Sequence, residues 1–378
     1  MPTVYHLLTE REPFSKVDGG GISRWAGNVV PQDPKGVVVA PSADGTWELP
    51  PEQLLIEPGL LRYKTRTSRL SRLAWDVTPA LAAKLLLPTL LKRVRPGDIV
   101  WVHNRPEFAA GLARLSELTK LGIKVVLHMH NSHLYHATRR VRKNTRGVTV
   151  VFVSRYMRDE AAARESGWAT MPVLYNGADE ATYGPAEASS FGIQPANVLF
   201  LGRLIPEKGC HILTQAMKIL DDRGFRCECR VVGGAGFGVQ ADTDYIRDMK
   251  RSAPPNVRFL GYLPGEEIAK SYREAWMFCQ PSLWQDPSPV TTLEAMASGI
   301  PVVAFRSGGI PEMLEFGGGV VVEESTPESL ADAIQAVASN GALRAEMATA
   351  GRQSFLDRFT WRHVFAGYRQ ICEQVAIG

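Results

Sequence analysis

Gln280-Pro281-Ser282-Leu283-Trp284-Gln285-Asp286-Pro287-Ser288-Pro289 leads into Val290-Thr291-Thr292-Leu293-Glu294-Ala295-Met296-Ala297-Ser298, and Gly299-Ile300-Pro301 then opens Val302-Val303. The apolar run Met277–Cys279 before this stretch and Val302–Ala304 after it have the length and composition of buried parallel strands. Between them lie a Pro-rich loop, an Ala/Met-rich helix entry and a Gly-Ile-Pro turn, which together spell a strand–helix–strand unit. Asp286 falls in the loop and Glu294, eight residues on, in the helix entry. Two acids so placed can hold the hydroxyls of one polar ligand from two sides.

The same alternation runs outward in both directions. Strand candidates in the first half are Val4–Leu8, Val37–Val39, Ile99–Val102, Val125–Leu127, Val148–Val153 and Val173–Leu174. In the second half they are Val198–Leu201, Cys229–Val232, Val257–Leu260, Met277–Cys279, Val302–Ala304 and Val320–Val322. Helical patterns such as His211–Leu220, Glu266–Ala275 and Pro327–Ala338 separate them. Six strands per half predict an α/β chain of two Rossmann-like domains. The polar stretch Asp179–Gln194 is the expected boundary, giving domains 1–185 and 186–360. Val364, Tyr368, Ile371 and Val375 recur at helical spacing in a terminal amphipathic helix, Trp361–Val375.

The chain of 378 residues is long enough for two cores, and 45% hydrophobic with 22% charged residues is ordinary for a globular protein. The start of the chain has neither the basic region nor the apolar stretch of a signal peptide. The greasiest segment, Ala80–Leu91, contains Lys84 and Pro88 and falls short of the ~20 apolar residues that a membrane-spanning helix needs. Five scattered cysteines are expected to be reduced core thiols of a cytoplasmic protein. Residues 61–146 hold 18 basic and four acidic residues. Such a block suits an anionic partner, and peripheral contact with an anionic membrane is expected around Arg139, Arg140, Arg142 and Lys143.

About 80 residues before Asp286, Gly202-Arg203-Leu204-Ile205-Pro206-Glu207-Lys208-Gly209 follows a strand and precedes a helix. Cations beside a helix N-terminus make a diphosphate site, because unpaired N–H groups and the helix dipole add to the side-chain charge. Phosphate-binding cations with hydroxyl-binding acids call for a ligand that is both sugar and phosphate, as a nucleotide sugar is. Pro287 and Pro289 lack an N–H, which leaves those of Ser288, Val290 and Thr291 for ligand oxygens. Gly19-Gly20-Gly21 follows the first strand and lets a backbone approach a ligand closely, and Gly234 follows another strand. His128-Met129-His130-Asn131-Ser132-His133 has its histidines on one strand face and the loop after it, but no Cys or carboxylate partner completes a metal ligand set in the sequence nearby.

Taken together, Gly202–Gly209 and Asp286–Glu294 resemble the donor site of retaining GT-B glycosyltransferases, in particular glycosyltransferase family 4, which includes phosphatidylinositol mannosyltransferases and lipopolysaccharide sugar transferases. The resemblance is strong over roughly residues 150–365. It implies two Rossmann-like domains facing across a cleft, with the C-terminal helix, 361–378, crossing back to the first. It implies that Arg203 and Lys208 grip the donor diphosphate, that Glu294 takes the ribose hydroxyls and that Asp286 contacts the transferred sugar. Gly20 and Gly21 would lie over the diphosphate, and His130 would contact the donor sugar near the scissile bond. The family has Glu where this chain has Asp286, and Asp286-Pro287-Ser288-Pro289 lacks the usual Phe-Gly.

Ser307-Gly308-Gly309-Ile310-Pro311-Glu312 resembles a family loop near base and ribose, and Asn176-Gly177-Ala178-Asp179 one at the end of the first domain. The resemblance implies a metal-independent hexosyltransferase with no cofactor and a nucleoside-diphosphate sugar as donor, UDP favoured over GDP. Its acceptor would be a glycan or lipid-linked, in cell-envelope or exopolysaccharide synthesis. Two other classes fit the same residues: a nucleotide-sugar epimerase or hydrolase, and a non-catalytic sugar-binding protein.

Overall fold

The computed structural model describes residues 2–9, 14–15, 20–41, 47–60, 79–132, 147–185, 196–236 and 242–378. Gly19, His133, Arg139, Arg140, Arg142 and Lys143 lie outside the described residues. The chain divides into two compact units, residues 1–175 with 364–378, and residues 176–363. The division falls at Tyr175/Asn176, ahead of the polar stretch singled out in the sequence.

The first unit holds a parallel sheet of β1 (Val4–Leu7), β2 (Gly36–Ala40), β3 (Leu54–Ile56), β4 (Ile99–His103), β5 (Lys124–Met129) and β6 (Thr149–Phe152), in the order β3-β2-β1-β4-β5-β6. The second holds β7 (Ala196–Leu201), β8 (Cys227–Val232), β9 (Val257–Gly261), β10 (Met277–Gln280), β11 (Val302–Phe305) and β12 (Gly319–Val322), in the order β12-β11-β10-β7-β8-β9. Counted from its own first strand, each sheet has the doubly wound order 3-2-1-4-5-6. The chain runs one way from the first strand and then returns to its other side. That reversal opens a crevice at the carboxyl ends of the first and fourth strands, where such sheets take ligands.

Most inner strands are covered on both faces and read as continuous apolar runs, whereas β8 alternates at Glu228 and Arg230 and the edge strand β9 exposes Arg258 and Leu260. Leu7, Val100, Val102, Leu127 and Phe152 pack in one core, and Val198, Phe200, Val231, Val303 and Phe305 in the other. All five cysteines are free and buried. The six strand candidates of the second half all form. In the first half, Val173 makes only an isolated bridge to Phe152, and the strand that completes the set of six is β3, Leu54–Ile56. The latter is a three-residue edge strand between Pro50-Pro51 and Pro58, too short for a periodicity to register. The terminal helix runs Trp361–Ile377 and buries Val364, Tyr368, Ile371 and Cys372. Among the described residues, no helix is long and apolar enough to cross a membrane.

Candidate active site

In the second unit the reversal point lies between β7 and β10. The loop after β7 carries Arg203 and Lys208, and the loop after β10 carries Asp286. The two loops are stitched together: the Glu207 carbonyl accepts the N–H groups of Leu283 (2.9 Å) and Trp284 (3.2 Å). Gly209 ends the short 3₁₀ turn Pro206–Lys208 at φ +69° and starts the helix Cys210–Asp222. A Cβ there would stand 1.8 Å from the Pro281 carbonyl oxygen, so both the backbone sign and the contact demand glycine. That contact brings Lys208 to Asp286, and Lys208 Nζ and Asp286 Oδ2 form an ion pair with side chains 19% and 10% exposed. The sequence suggested separate tasks for these two residues; in the structure they neutralise each other. Arg203 is exposed on the same loop, with no ion pair to it among the described residues.

A third loop braces Asp286. Gly309 N–H donates to the Asp286 carbonyl (2.9 Å), and Gly308 N–H to Gln285 Oε1 (2.7 Å). Gly308 has φ +53°, and a Cβ on it would meet the Asp286 carbonyl oxygen at 2.1 Å. Ser307-Gly308-Gly309 is thus a support for the Asp286 loop. Asn176 Nδ2 donates to the Ser288 carbonyl (3.0 Å) and holds that loop from the other side.

Asp286-Pro287-Ser288-Pro289 runs directly into the helix Val290–Ala297, whose first N–H groups, those of Val290 and Thr291, have no acceptor within the helix. Ser288 is buried, and its Oγ has no hydrogen-bond partner; Ser282 Oγ is in the same condition. Buried hydroxyls without partners are uncommon and mark a place where a ligand or water completes the bonding. Thr291 Oγ1 donates to Gln280 Oε1 (3.0 Å). Glu294, 2% exposed, accepts at Oε2 from the Tyr272 hydroxyl (3.0 Å), which also reaches the Thr291 carbonyl (3.1 Å). Gly234 lies at the end of β8, where its carbonyl accepts Leu204 N–H (2.8 Å) and so fixes the start of the Arg203 loop. Arg203, Lys208, Gly234, Asp286, Ser288, Val290, Thr291 and Glu294 therefore belong to one end of one sheet.

In the first unit, Gly20 caps the helix Gly21–Val29, and the space where a Gly21 side chain would go is open. His130 stands at the exit of β5. Its backbone N–H donates to Asn104 Oδ1 (2.7 Å), and Asn104 N–H donates to the His128 carbonyl (2.9 Å). Asn104 adopts φ +53°, a conformation Asn tolerates better than most residues. The His130 ring meets His103, with Nε2 3.1 Å from His103 Nδ1. The ring nitrogens of His103, His128 and His130 lie within 4.8 Å of one another, so these three are the described residues that could hold a metal ion.

His6, Trp101, His103 and His128 share one sheet face: His6 is opposite Trp101 across β1–β4, and His103 is opposite His128 across β4–β5. Trp25 and Tyr368 cover that face, with Trp25 centred 5.1 Å from the His103 ring and Tyr368 5.4 Å from His6. Burial lowers the pKa of His6 to about 3 and those of His103 and His128 well below the usual histidine value, so all three are neutral. Asn104, His103, His6, Tyr272 and Tyr368 were missed as site residues in the sequence. The strand order supplies the missing signal, because it sets β1, β4 and β5 side by side and thereby gathers their histidines.

Two family models match the chain: "Glycosyl transferases group 1" over residues 188–354 and "Glycosyltransferase Family 4" over residues 37–182. The chain belongs to the family 4-like glycosyltransferases of GT-B fold. Among its relatives, spore coat protein SA of Bacillus subtilis is 26% identical over 243 residues, 60% of this chain and 64% of that protein. The GDP-mannose-dependent alpha-(1-6)-phosphatidylinositol monomannoside mannosyltransferase of Mycolicibacterium smegmatis is 30% identical over 233 residues, 56% of this chain and 59% of that one. The matches thus span under two thirds of either relative. HepE of Anabaena, solved in complex with UDP, superimposes with a TM-score of 0.72 at 20% identity over the whole of both chains. The family's two-sheet architecture is the one described above.

Proposed function

We propose that the chain transfers a hexose-type sugar from a nucleoside-diphosphate sugar to a glycan or lipid-linked acceptor with retention of configuration. The observation that carries this reading is the Lys208–Asp286 pair at the reversal point of the second sheet. Beside it stand Arg203, the unpartnered Ser288 hydroxyl and the open helix N-terminus at Val290. An incoming diphosphate takes over Lys208 and, with Arg203, gains charge stabilisation as the leaving group forms. Asp286, released from Lys208, turns its acceptor oxygens to sugar hydroxyls, and Glu294 holds the ribose diol. The leaving phosphate helps to deprotonate the acceptor hydroxyl on the same face, so no carboxylate serves as a covalent nucleophile. The first unit carries the acceptor, in keeping with the basic block at 61–146, and His130 contacts the donor sugar. UDP is the first choice of nucleotide, in keeping with a whole-chain structural neighbour solved with UDP, and GDP the second, in keeping with the mannosyltransferase relative. Cell-envelope or exopolysaccharide synthesis is the setting that fits such an acceptor.

A thermal-shift screen against UDP-, GDP- and ADP-sugars tests the donor, since a ligand at ~100 times its dissociation constant adds ~2.7 kcal/mol of stability. Incubation of the stabilising donor with and without acceptors tests the reaction. Nucleotide release or sugar isomerisation without acceptor would make the protein a hydrolase or epimerase, and tight binding without turnover a sugar-binding protein. The transfer rate is expected to be the same with EDTA as with added zinc. Loss of activity in EDTA, restored by a divalent ion, would reassign His103, His128 and His130 as ligands.

The two acids are expected to separate in calorimetry. Glu294→Gln weakens binding of the free nucleoside diphosphate. Asp286→Asn leaves that binding intact or tighter, because it frees Lys208, while transfer falls. Equal losses of nucleotide affinity in both variants would refute this division.

A further inference from the structure

Four side chains and one carboxylate in the first unit form an unbroken hydrogen-bonded file. His130 Nε2 lies 3.1 Å from His103 Nδ1, His103 Nε2 lies 3.5 Å from His6 Nδ1, and His6 Nε2 lies 3.2 Å from the Tyr368 hydroxyl. Tyr368 then donates to Asp33 Oδ2 at 2.8 Å. His103, His6 and Tyr368 are fully buried, whereas His130 and Asp33 at the two ends are partly exposed. Each inner histidine uses both ring nitrogens, and a neutral imidazole has one donor and one acceptor. The file therefore has a single direction, and its end decides which. The Tyr368 hydroxyl has one proton and donates it to Asp33 Oδ2, and burial holds the Tyr368 pKa well above the usual tyrosine value. The Tyr368 oxygen then accepts from His6 Nε2–H, His6 Nδ1 accepts from His103 Nε2–H, and His103 Nδ1 accepts from His130 Nε2–H.

We propose that this file is a positioning relay: Asp33, Tyr368, His6 and His103 lock His130 with its proton on Nε2, making Nδ1 its acceptor nitrogen. The proposal rests on the reading of His130 as the residue that contacts the donor sugar. It changes the character of that contact. With Nε2–H committed to His103, the ring meets a sugar hydroxyl as an acceptor rather than a donor. It also gives a task to a costly arrangement: His6 and His103, buried beside Trp25 and Trp101, have both ring nitrogens paired, whereas His128 in the same enclosure has neither. The alternative occupant of this cluster, a metal ion, would have to displace bonds that already engage both nitrogens of His103.

The test is ¹⁵N-detected NMR of the histidine rings in the full chain, combined with steady-state kinetics. Wild type should show His130 protonated at Nε2. Asp33→Asn keeps an oxygen for the Lys35 N–H, which Asp33 Oδ1 accepts at 3.0 Å, and turns an NH₂ donor toward Tyr368. The file should then reverse and move the His130 proton to Nδ1. Tyr368→Phe keeps the ring but removes the acceptor for His6, and should leave His130 a mixture of tautomers. Both variants should lose roughly tenfold or more in kcat, as expected of a wrong tautomer, with the donor KM little changed. His130 held at Nε2–H in both variants, or stoichiometric metal in the purified protein, would overturn the proposal. So would an unchanged kcat in a variant whose tautomer has shifted. The tautomer measurement needs no substrate, so it separates failure of the relay from failure of the transferase reading.

Discussion

Lys208→Ala is expected to lower donor turnover by roughly 10- to 150-fold, the equivalent of one charge-assisted phosphate contact of about 1.5–3 kcal/mol. Arg203→Ala should act in the same direction on the same ligand. The two variants differ in what they do to the protein itself. Arg203 is exposed, and its loss should leave thermal stability unchanged. Lys208 neutralises Asp286, whose side chain is 10% exposed, so its removal strands a largely buried carboxylate. Lys208→Ala should therefore melt below wild type without ligand, and Lys208→Ala with Asp286→Asn should regain part of that loss. Wild-type turnover in both single-cation variants would remove the diphosphate from this loop.

Acid is expected to destabilise the first unit as the pH falls below about 6.5. His6, His103 and His128 are buried neutral, with folded-state pKa values below the unfolded value of about 6.5. The unfolded chain therefore binds more protons in this range, and stability falls as pH drops. The loss begins near pH 6.5 and, for His6, continues to about pH 3. Each such group contributes at most about 1.4 kcal/mol per pH unit, so three together give a steep slope. Denaturant melts between pH 7 and 5 should show this loss. His128→Phe, which fills the same aromatic enclosure without a titrating group, should flatten it. A pH-independent midpoint across that interval would show that these rings are not held neutral by burial.

The second sheet was almost wholly legible in the sequence because β7, β10 and β11 are buried, mostly apolar runs, β8 and β9 keep apolar residues at alternate positions, and each loop carries its own punctuation. Pro281, Pro287, Pro289 and the glycines at 209, 299 and 308 mark where chain direction changes, so the motif residues could be placed at strand ends. What could not be read was distance. Nothing in Gly202–Gly209 or Asp286–Glu294 shows that Lys208 and Asp286 touch. That contact follows from Gly209 lying against the Pro281 carbonyl, a tertiary fact. The first unit was harder for a different reason. Its edge strand Leu54–Ile56 draws its register from β2 rather than from any pattern of its own. Its histidines sit at core positions on separate strands, where each alone reads as an ordinary buried residue. Only the order β2-β1-β4-β5 makes them neighbours, and only the terminal helix brings Tyr368 to complete the file.

The central claim is that a nucleotide sugar binds at the reversal point of the second sheet, and hydrogen exchange with and without donor tests it most directly. With saturating UDP- or GDP-sugar, amides of the Arg203–Gly209 loop and of Ser288–Glu294 should exchange more slowly, while those of the helix Pro327–Ser339 should not change. Protection confined to other segments, or absent at concentrations that support turnover, would contradict the account.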